Sequence, residues 1–289
     1  MKLIKPSYQI IEPTGYTIDD IYKSIELVGR VSHKSEDRIT EDSAKTFVER
    51  MMKMKHLSTC EFGTVYLHID YHNPSFGKII DKYNSNEYSK CIIDTVFPNK
   101  AYISSNYRVL IENNWLDDLK YLCEPTEYHH KRYIVKFILD RAIANEFVRH
   151  RKFSFLQEST RYCNYSKKNK FNGELTFIIP WWIDDIEEKS YTSFVEYHPT
   201  KYDPAKLWFD TCMNSEDTYI ELLDKDWKPE QARNILPLSL KTELYMCGFA
   251  EDWEQFFKLR TAPNAHPQAR ELAIPLKEEF ISRNYLQLE

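Results

Sequence analysis

Between Arg149 and Tyr162 the sequence runs RHRKFSFLQESTRY. The guanidinium groups of Arg149, Arg151 and Arg161 are planar forks of N–H donors that match phosphate or carboxylate oxygens two at a time. His150 and Lys152 add cationic character. Gln157, Ser159 and Thr160 supply the amide and hydroxyl groups that complete an anion's shell. The segment reads as an anion site, and it lies in an acidic chain: 39 Lys+Arg against 44 Asp+Glu leave a net charge of −5. A general nucleic-acid binder carries a basic excess, so the site is expected to be local. The chain has six glycines and neither a G-x-G-x-x-G turn nor a Walker-type loop, so side chains must hold any phosphate.

The elements that deliver this segment are readable from period and caps. RYIVKFIL, residues 132–139, is a strand, and Asp140 caps a helix through RAIANEFVRH. That helix sets Arg149, His150 and Arg151 at its C-terminal end. The macrodipole alone rewards one or two such cations, but it does not account for Ser159, Arg161 and Tyr162 following so soon. FGTVYLHIDY alternates Val65, Leu67, Ile69 and Tyr71 against Thr64, Tyr66, His68 and Asp70, a half-buried strand. Residues 41–56 form a helix with Phe47, Met51 and Met54 on its core side. Residues 174–180 are a strand and 182–196 a polar surface insert. Residues 203–225 are a helix with Leu207, Tyr219, Leu222 and Leu223 apolar, 228–237 a short helix with Pro229 at its start, and 238–249 extended. Residues 251–260 are a helix burying Trp253, Phe256 and Phe257 with Arg260 at its end. The last helix, 266–285, must kink or break at Pro275. Helices and strands mix without strict alternation, so the class is α+β, a mixed sheet with packed helices.

With 289 residues the chain is long enough for one large domain or two modest ones. Cys60, Cys91, Cys123, Cys163, Cys212 and Cys247 form no C-x-x-C pair and read as reduced thiols. The start, MKLIKPSYQI, lacks the apolar stretch of a signal peptide, and no run approaches 18 apolar residues. The expectation is a cytoplasmic protein outside any membrane. His129 and His130, read as neighbours on a strand, point to opposite faces and chelate poorly, so no metal is expected.

The pattern RHR, seven residues, then S-x-R resembles the signature of the flavin-dependent thymidylate synthases, with Arg149, His150, Arg151, Ser159 and Arg161 at its fixed positions. GRVSH at 29–33, HLSTCEFGTVYLHI at 56–69, QARNILPLSL at 231–240, FFKLR at 256–260 and AHPQA at 265–269 are similar to family segments in the family's order. The resemblance spans roughly residues 25–280. It implies one domain over 1–289 with the family's fold. It also implies an enzyme that converts dUMP to dTMP, taking a one-carbon unit from 5,10-methylenetetrahydrofolate, with NADPH reducing a bound FAD that supplies hydride. A homotetramer with sites shared between subunits is implied too. By family position Glu146, Arg149, Gln157, Glu158, Ser159, Thr160, Arg161, Arg233 and Arg260 contact dUMP. Thr64, Arg149, His150, Arg151, Gln157 and Gln255 contact FAD. The resemblance further implies that Arg233 reaches dUMP from a neighbouring subunit and that Arg260 is the catalytic residue favouring ionisation at uracil N3, an electrostatic role.

Departures from the family pattern are Phe62 where many members carry histidine, Gln157 for a glutamate, and Phe249, Ala250 and Glu251 where an amide-rich flavin contact is common. Glu251 near an anionic cofactor is unfavourable unless it points away. Cys163, two residues past Arg161, is not expected to act as a nucleophile. Two other readings stand beside the enzyme. One is a nucleotide-binding homologue without activity. The other is a single-stranded nucleic-acid module using Arg149, Arg151, Lys152, Arg161, Lys167, Lys168 and Lys170 with nearby aromatics.

Overall fold

A computed structural model describes residues 1–94, 100–166, 171, 173–199 and 204–286. Lys167, Lys168 and Lys170 of the nucleic-acid reading lie outside the described residues. The elements are β1 (Lys2–Ile4), β2 (Ser7–Ile11), α1 (Ile18–Gly29), α2 (Ser43–Lys53), β3 (Thr64–Asp70), α3 (Phe76–Asn84), β4 (Lys90–Ile93), β5 (Lys100–Asn106), α4 (Tyr107–Glu112), β6 (Arg132–Asp140), α5 (Arg141–Phe147), β7 (Ser154–Gln157), β8 (Thr176–Ile178), α6 (Pro204–Asp224), α7 (Pro229–Ala232), β9 (Lys241–Phe249), α8 (Ala250–Arg260) and α9 (Pro267–Ser282). The mixture of helix and sheet is α+β.

The central sheet has strand order β2-β6-β9-β7, all neighbours antiparallel. β3-β5-β4 form a second antiparallel sheet, and β1 pairs with β8 in parallel. Period-two alternation gives the central sheet two different faces. One face, with Val135, Phe137, Leu139, Leu244 and Met246, packs on Phe147 of α5, Trp253, Phe256 and Phe257 of α8 and Phe280 of α9. The other sets Ile134, Tyr245 and Cys247 against Val28, Val31 and Phe62. The same face carries Lys136, Lys241 and Glu243 further along the strands. Asp140 ends β6 and caps α5: its Oδ1 accepts from the Ile143 N–H at 2.8 Å.

Several sequence expectations are corrected. α5 stops at Phe147, so Arg149, His150 and Arg151 stand in the turn beyond it. SFLQ, within the signature, is strand β7, held by β9; a four-residue strand carries too little periodicity to be recognised. Tyr66 of β3 is buried, while Tyr71, just past the strand's end, is 58% exposed, because the covering core ends with the strand. Met54, just past the end of α2, and Leu207, on the face of α6 opposite Phe209, are exposed. The insert at 182–196 is anchored by buried Ile183, Ile186 and Tyr191. His129 and His130 precede β6 and are not in a strand. α9 runs unbroken through Pro275. That ring sits on the exposed side, while Leu272, Ala273, Leu276 and Phe280 keep an apolar stripe on the core, and packing outweighs the lost backbone bond. The periodic segments named above do not reach β1, β2 or α1, although α1 opens with a capping box in which Thr17 and Asp20 exchange hydrogen bonds.

Gly248 of β9 faces the aromatic core. A Cβ there would stand 2.7 Å from the Phe153 ring, which is itself wedged edge-on against Trp253 at 4.7 Å. Gly248→Ala is expected to lower stability by about 1–3 kcal/mol through overpacking, read as a lower denaturation midpoint at an unchanged m-value.

Candidate functional site

The turn after α5 and the end of α8 meet at Arg260. Its Nη1 donates to Glu146 Oε2 at 2.6 Å and its Nη2 to the Glu146 carbonyl at 2.6 Å. Its Nε donates to His150 Nε2 at 3.0 Å. The histidine therefore accepts on Nε2, so a neutral ring carries its proton on Nδ1. Burial, and next the Arg260 charge, lower the His150 pKa to about 4. The ring also stands edge-on to Phe256 at 5.0 Å, which fixes its plane. Glu146, His150 and Arg260 thus join across as many as 114 sequence positions. Arg149, Arg151 and Lys152 point their charges outward from the same turn and are exposed.

β7 leads from that turn into the loop after Gln157. Gln157 donates from Nε2 to Thr242 Oγ1 at 3.2 Å. The Ser159 N–H donates to the Ser32 carbonyl at 3.2 Å, and the Ser159 carbonyl accepts from the Tyr162 and Cys163 N–H groups. Ser159 Oγ accepts from the Arg161 N–H at 3.2 Å. This compact turn throws the Arg161 guanidinium into solvent, where its Nε meets Glu230 Oε2 at 3.2 Å. Glu230 belongs to α7, and Arg233 follows in the next 3₁₀ turn, also exposed. Arg161 thus lies beside α7, whose Glu230 is three residues before Arg233 in the chain. The pair with Glu230 is solvent-exposed on both sides, so it contributes little and yields readily to a stronger anion. Thr160 is buried, and Glu158 is more so, with both carboxylate oxygens already occupied.

The remaining flavin candidates lie apart from this cluster. Thr64 lines a cavity of about 700 Å³ with Phe62, Tyr66, Arg132 and Tyr285, and none of residues 146–161 is among its lining residues. Arg132 Nη1 donates to Thr64 Oγ1 at 3.2 Å and to the Glu61 carbonyl at 3.1 Å. Phe62 is fully buried between α1 and the central sheet. Gln255 is on the exposed side of α8. Glu251 is ion-paired: burial pushes its pKa up, but His130 and Lys90 overcome that and hold it at about 2. Among the described residues no group of three or more His, Cys, Asp or Glu is placed to hold a metal ion. His129 is occupied, with Nδ1 accepting from the Thr126 N–H at 3.0 Å and Nε2 lying 3.1 Å from the Leu67 carbonyl.

Sequence reasoning missed Arg132, Arg141, Tyr165 and Lys241. Arg132 opens the recognised strand β6, but nothing local pairs it with Thr64. Arg141 is the first residue of α5 and its Nη2 reaches the Glu158 carbonyl at 3.2 Å. Tyr165 and Lys241 bind Glu158 from positions whose partners only the fold supplies.

The family model described as "Thymidylate synthase complementing protein" matches residues 85–283. The match includes the RHR segment, Arg233 and Arg260, and it begins after Thr64. A flavin-dependent thymidylate synthase of Synechocystis is 31% identical over 152 residues, 49% of this chain and 62% of the relative. One of Pyrococcus horikoshii is 30% identical over 147 residues, 51% of this chain and 53% of the relative. The chain therefore spans less than two thirds of the length of these relatives.

In Arg260→Met the His150 imidazole is expected to titrate above about 4 but short of the ordinary 6.5, because burial, the larger cause, remains. Proton NMR of the ring across pH measures this. A midpoint unchanged from the parent would show that the guanidinium does not help keep the ring neutral.

Proposed function

The chain belongs to the thymidylate synthase complementing protein family, and on that premise we propose that it is a flavin-dependent thymidylate synthase converting dUMP to dTMP. Methylenetetrahydrofolate is the one-carbon donor. FAD, reduced by NADPH, supplies the hydride. The observation that carries this reading is the Glu146–Arg260–His150 cluster: three residues expected at the nucleotide and the flavin are bonded to one another by the fold.

The donor set fits anionic nucleotides. Arg149 and Arg151 are exposed forks with no carboxylate partner among the described residues. They bind phosphate oxygens of the cofactor, and Arg149 also faces dUMP. Arg161, Ser159 and the peptide groups around Thr160 form a turn suited to a phosphate monoester, and Arg233 of a neighbouring copy contributes a second guanidinium. Arg260 is held at three N–H groups, so its charge is fixed in place before substrate arrives. A fixed cation beside the uracil edge stabilises negative charge developing at N3 without reorganising. His150 stays neutral and offers its Nδ1 proton as a donor, while Gln157, Thr64 and Gln255 add polar flavin contacts.

Two features support a site completed by more than one copy. The Thr64 cavity does not include the RHR turn, and the signature arginines open onto the surface. We take the working form as a homotetramer acting as one unit over residues 1–289. A cytoplasmic setting is part of the same proposal; among the described residues no helix is long and apolar enough to cross a membrane.

The purified protein is expected to be yellow with bound FAD and to form dTMP, followed by chromatography, when given dUMP, NADPH and methylenetetrahydrofolate. A colourless protein that takes up no added FAD would overturn the reading. Light scattering of the active sample should give four times the chain mass. Arg233→Ala is expected to weaken dUMP binding about ten- to a hundred-fold while FAD stays bound, from the loss of roughly 1.5–3 kcal/mol of charge-assisted contact. Cys163 is 2% exposed and its Sγ lies 3.8 Å from the Ser32 carbonyl, which suits packing and not attack on a base. Cys163→Ser should keep its turnover within about tenfold, roughly 1.4 kcal/mol in barrier. Complete loss of turnover in a yellow Cys163→Ser protein would place a thiol nucleophile in the reaction.

A further inference from the structure

We propose that Glu158 is a positioning residue and not a ligand: it pins the Ser159–Arg161 loop to the central sheet through its side chain and both of its peptide groups. The proposal rests on the function given above and deepens it. Glu158 follows the last residue of β7, where the chain leaves the sheet and turns into the loop. Its Oε1 accepts from the Tyr165 hydroxyl at 2.6 Å. Its Oε2 accepts from Lys241 Nζ at 2.8 Å. Its N–H donates to the Glu243 carbonyl at 2.9 Å, and its own carbonyl accepts from Arg141 Nη2 at 3.2 Å. The side chain is 1% exposed. A nucleotide reaching that carboxylate would have to displace Lys241 or Tyr165 and leave a buried charge uncompensated, which is costly.

The pin is itself fastened. Lys241 Nζ also donates to Glu243 Oε1 at 2.7 Å, and the same oxygen accepts from Lys34 Nζ at 2.7 Å. Lys136 Nζ lies 2.7 Å from Glu243 Oε2. Lys34 ends the 3₁₀ turn of residues 30–33 with a left-handed φ of 49°. That turn receives the loop: the Ser32 carbonyl accepts from the Ser159 N–H, and His33 stacks on Tyr162 at 4.4 Å. Residues 30–34, β9 and β7 therefore converge on the loop that carries Ser159 and Arg161. Geometry at a phosphate-binding turn tolerates little error, so slack at Glu158 would reach the substrate before it reached the core.

The test compares Tyr165→Phe and Lys241→Met with the parent by amide hydrogen exchange and by dUMP titration of the FAD-loaded protein. Exchange at 159–163 is expected to speed up at least about tenfold in both variants, with residues 134–139 and 244–247 changing less than about threefold. KM for dUMP should rise at least about tenfold with FAD content unchanged, and Lys241→Arg should restore most of it. If Lys241→Met does not fold, Tyr165→Phe decides, since it removes one hydroxyl from an otherwise intact ring. Exchange that speeds up equally across the sheet would mean that the network only stabilises the fold, and that would overturn the proposal. So would a Glu158→Gln protein that loses dUMP with its loop protection intact, because that is the signature of a direct ligand. If the parent neither binds dUMP nor forms dTMP, the function is wrong, and the exchange data still decide whether Glu158 pins the loop.

Discussion

The antiparallel pairing of β6 with β9 sets Arg132 opposite Phe249 and Asp140 opposite Lys241. Because side chains alternate, that one register sorts two chemistries onto opposite faces. Phe137, Leu139, Leu244 and Met246 go to the aromatic core with α5, α8 and α9. Lys136, Lys241 and Glu243 go to the other face. A slip of one residue would carry the charges into the aromatic core and set its hydrophobic residues against residues 28–34. Both halves of the site hang from this register. Through the core it fixes α8, and so Arg260. Through the charged face it fixes the loop of Ser159 and Arg161.

The charged face is stable because its groups are matched. Burial alone would raise the Glu243 pKa, but Lys241, Lys136 and Lys34 reverse that and hold the carboxylate well below the usual range. A carboxylate whose folded pKa is depressed contributes stability above its unfolded pKa and loses it as pH falls toward the folded value. The cluster is therefore fully formed at neutral pH and dissolves only in acid. Breaking one such buried pair typically costs about 3–5 kcal/mol, while exposed pairs such as Arg161–Glu230 are worth roughly 1 kcal/mol or less. The distinction separates side chains that hold the framework from those left open for a ligand.

The site follows the same division. Arg260 is anchored by Glu146 and His150. Arg149, Arg151, Arg161 and Arg233 are exposed. A fixed cation suits a role at the reacting ring, where preorganisation lowers the barrier. Exposed guanidinium groups suit phosphates, which are recognised by charge and geometry at the rim. The neutral His150 adds a hydrogen-bond donor without adding charge to an already cationic turn.

Much of the frame was legible in local sequence. β6, its cap at Asp140 and the core face of α8 follow from periodicity and capping, which act within a few residues. The signature arginines follow from residue type and spacing. What stayed hidden depends on partners far along the chain. β7 is too short to show a period and exists because β9 supplies its hydrogen bonds. Pro275 does not end α9, because core packing on both sides of it outweighs one missing N–H. Glu158 stands at a ligand position in the family pattern, yet Tyr165 and Lys241 occupy its oxygens. Sequence by itself determined which groups carry charge and which segments fold locally. Only the tertiary structure decided which charges are buried and paired and which remain open, because desolvation and pairing depend on neighbours that the backbone brings together from distant positions.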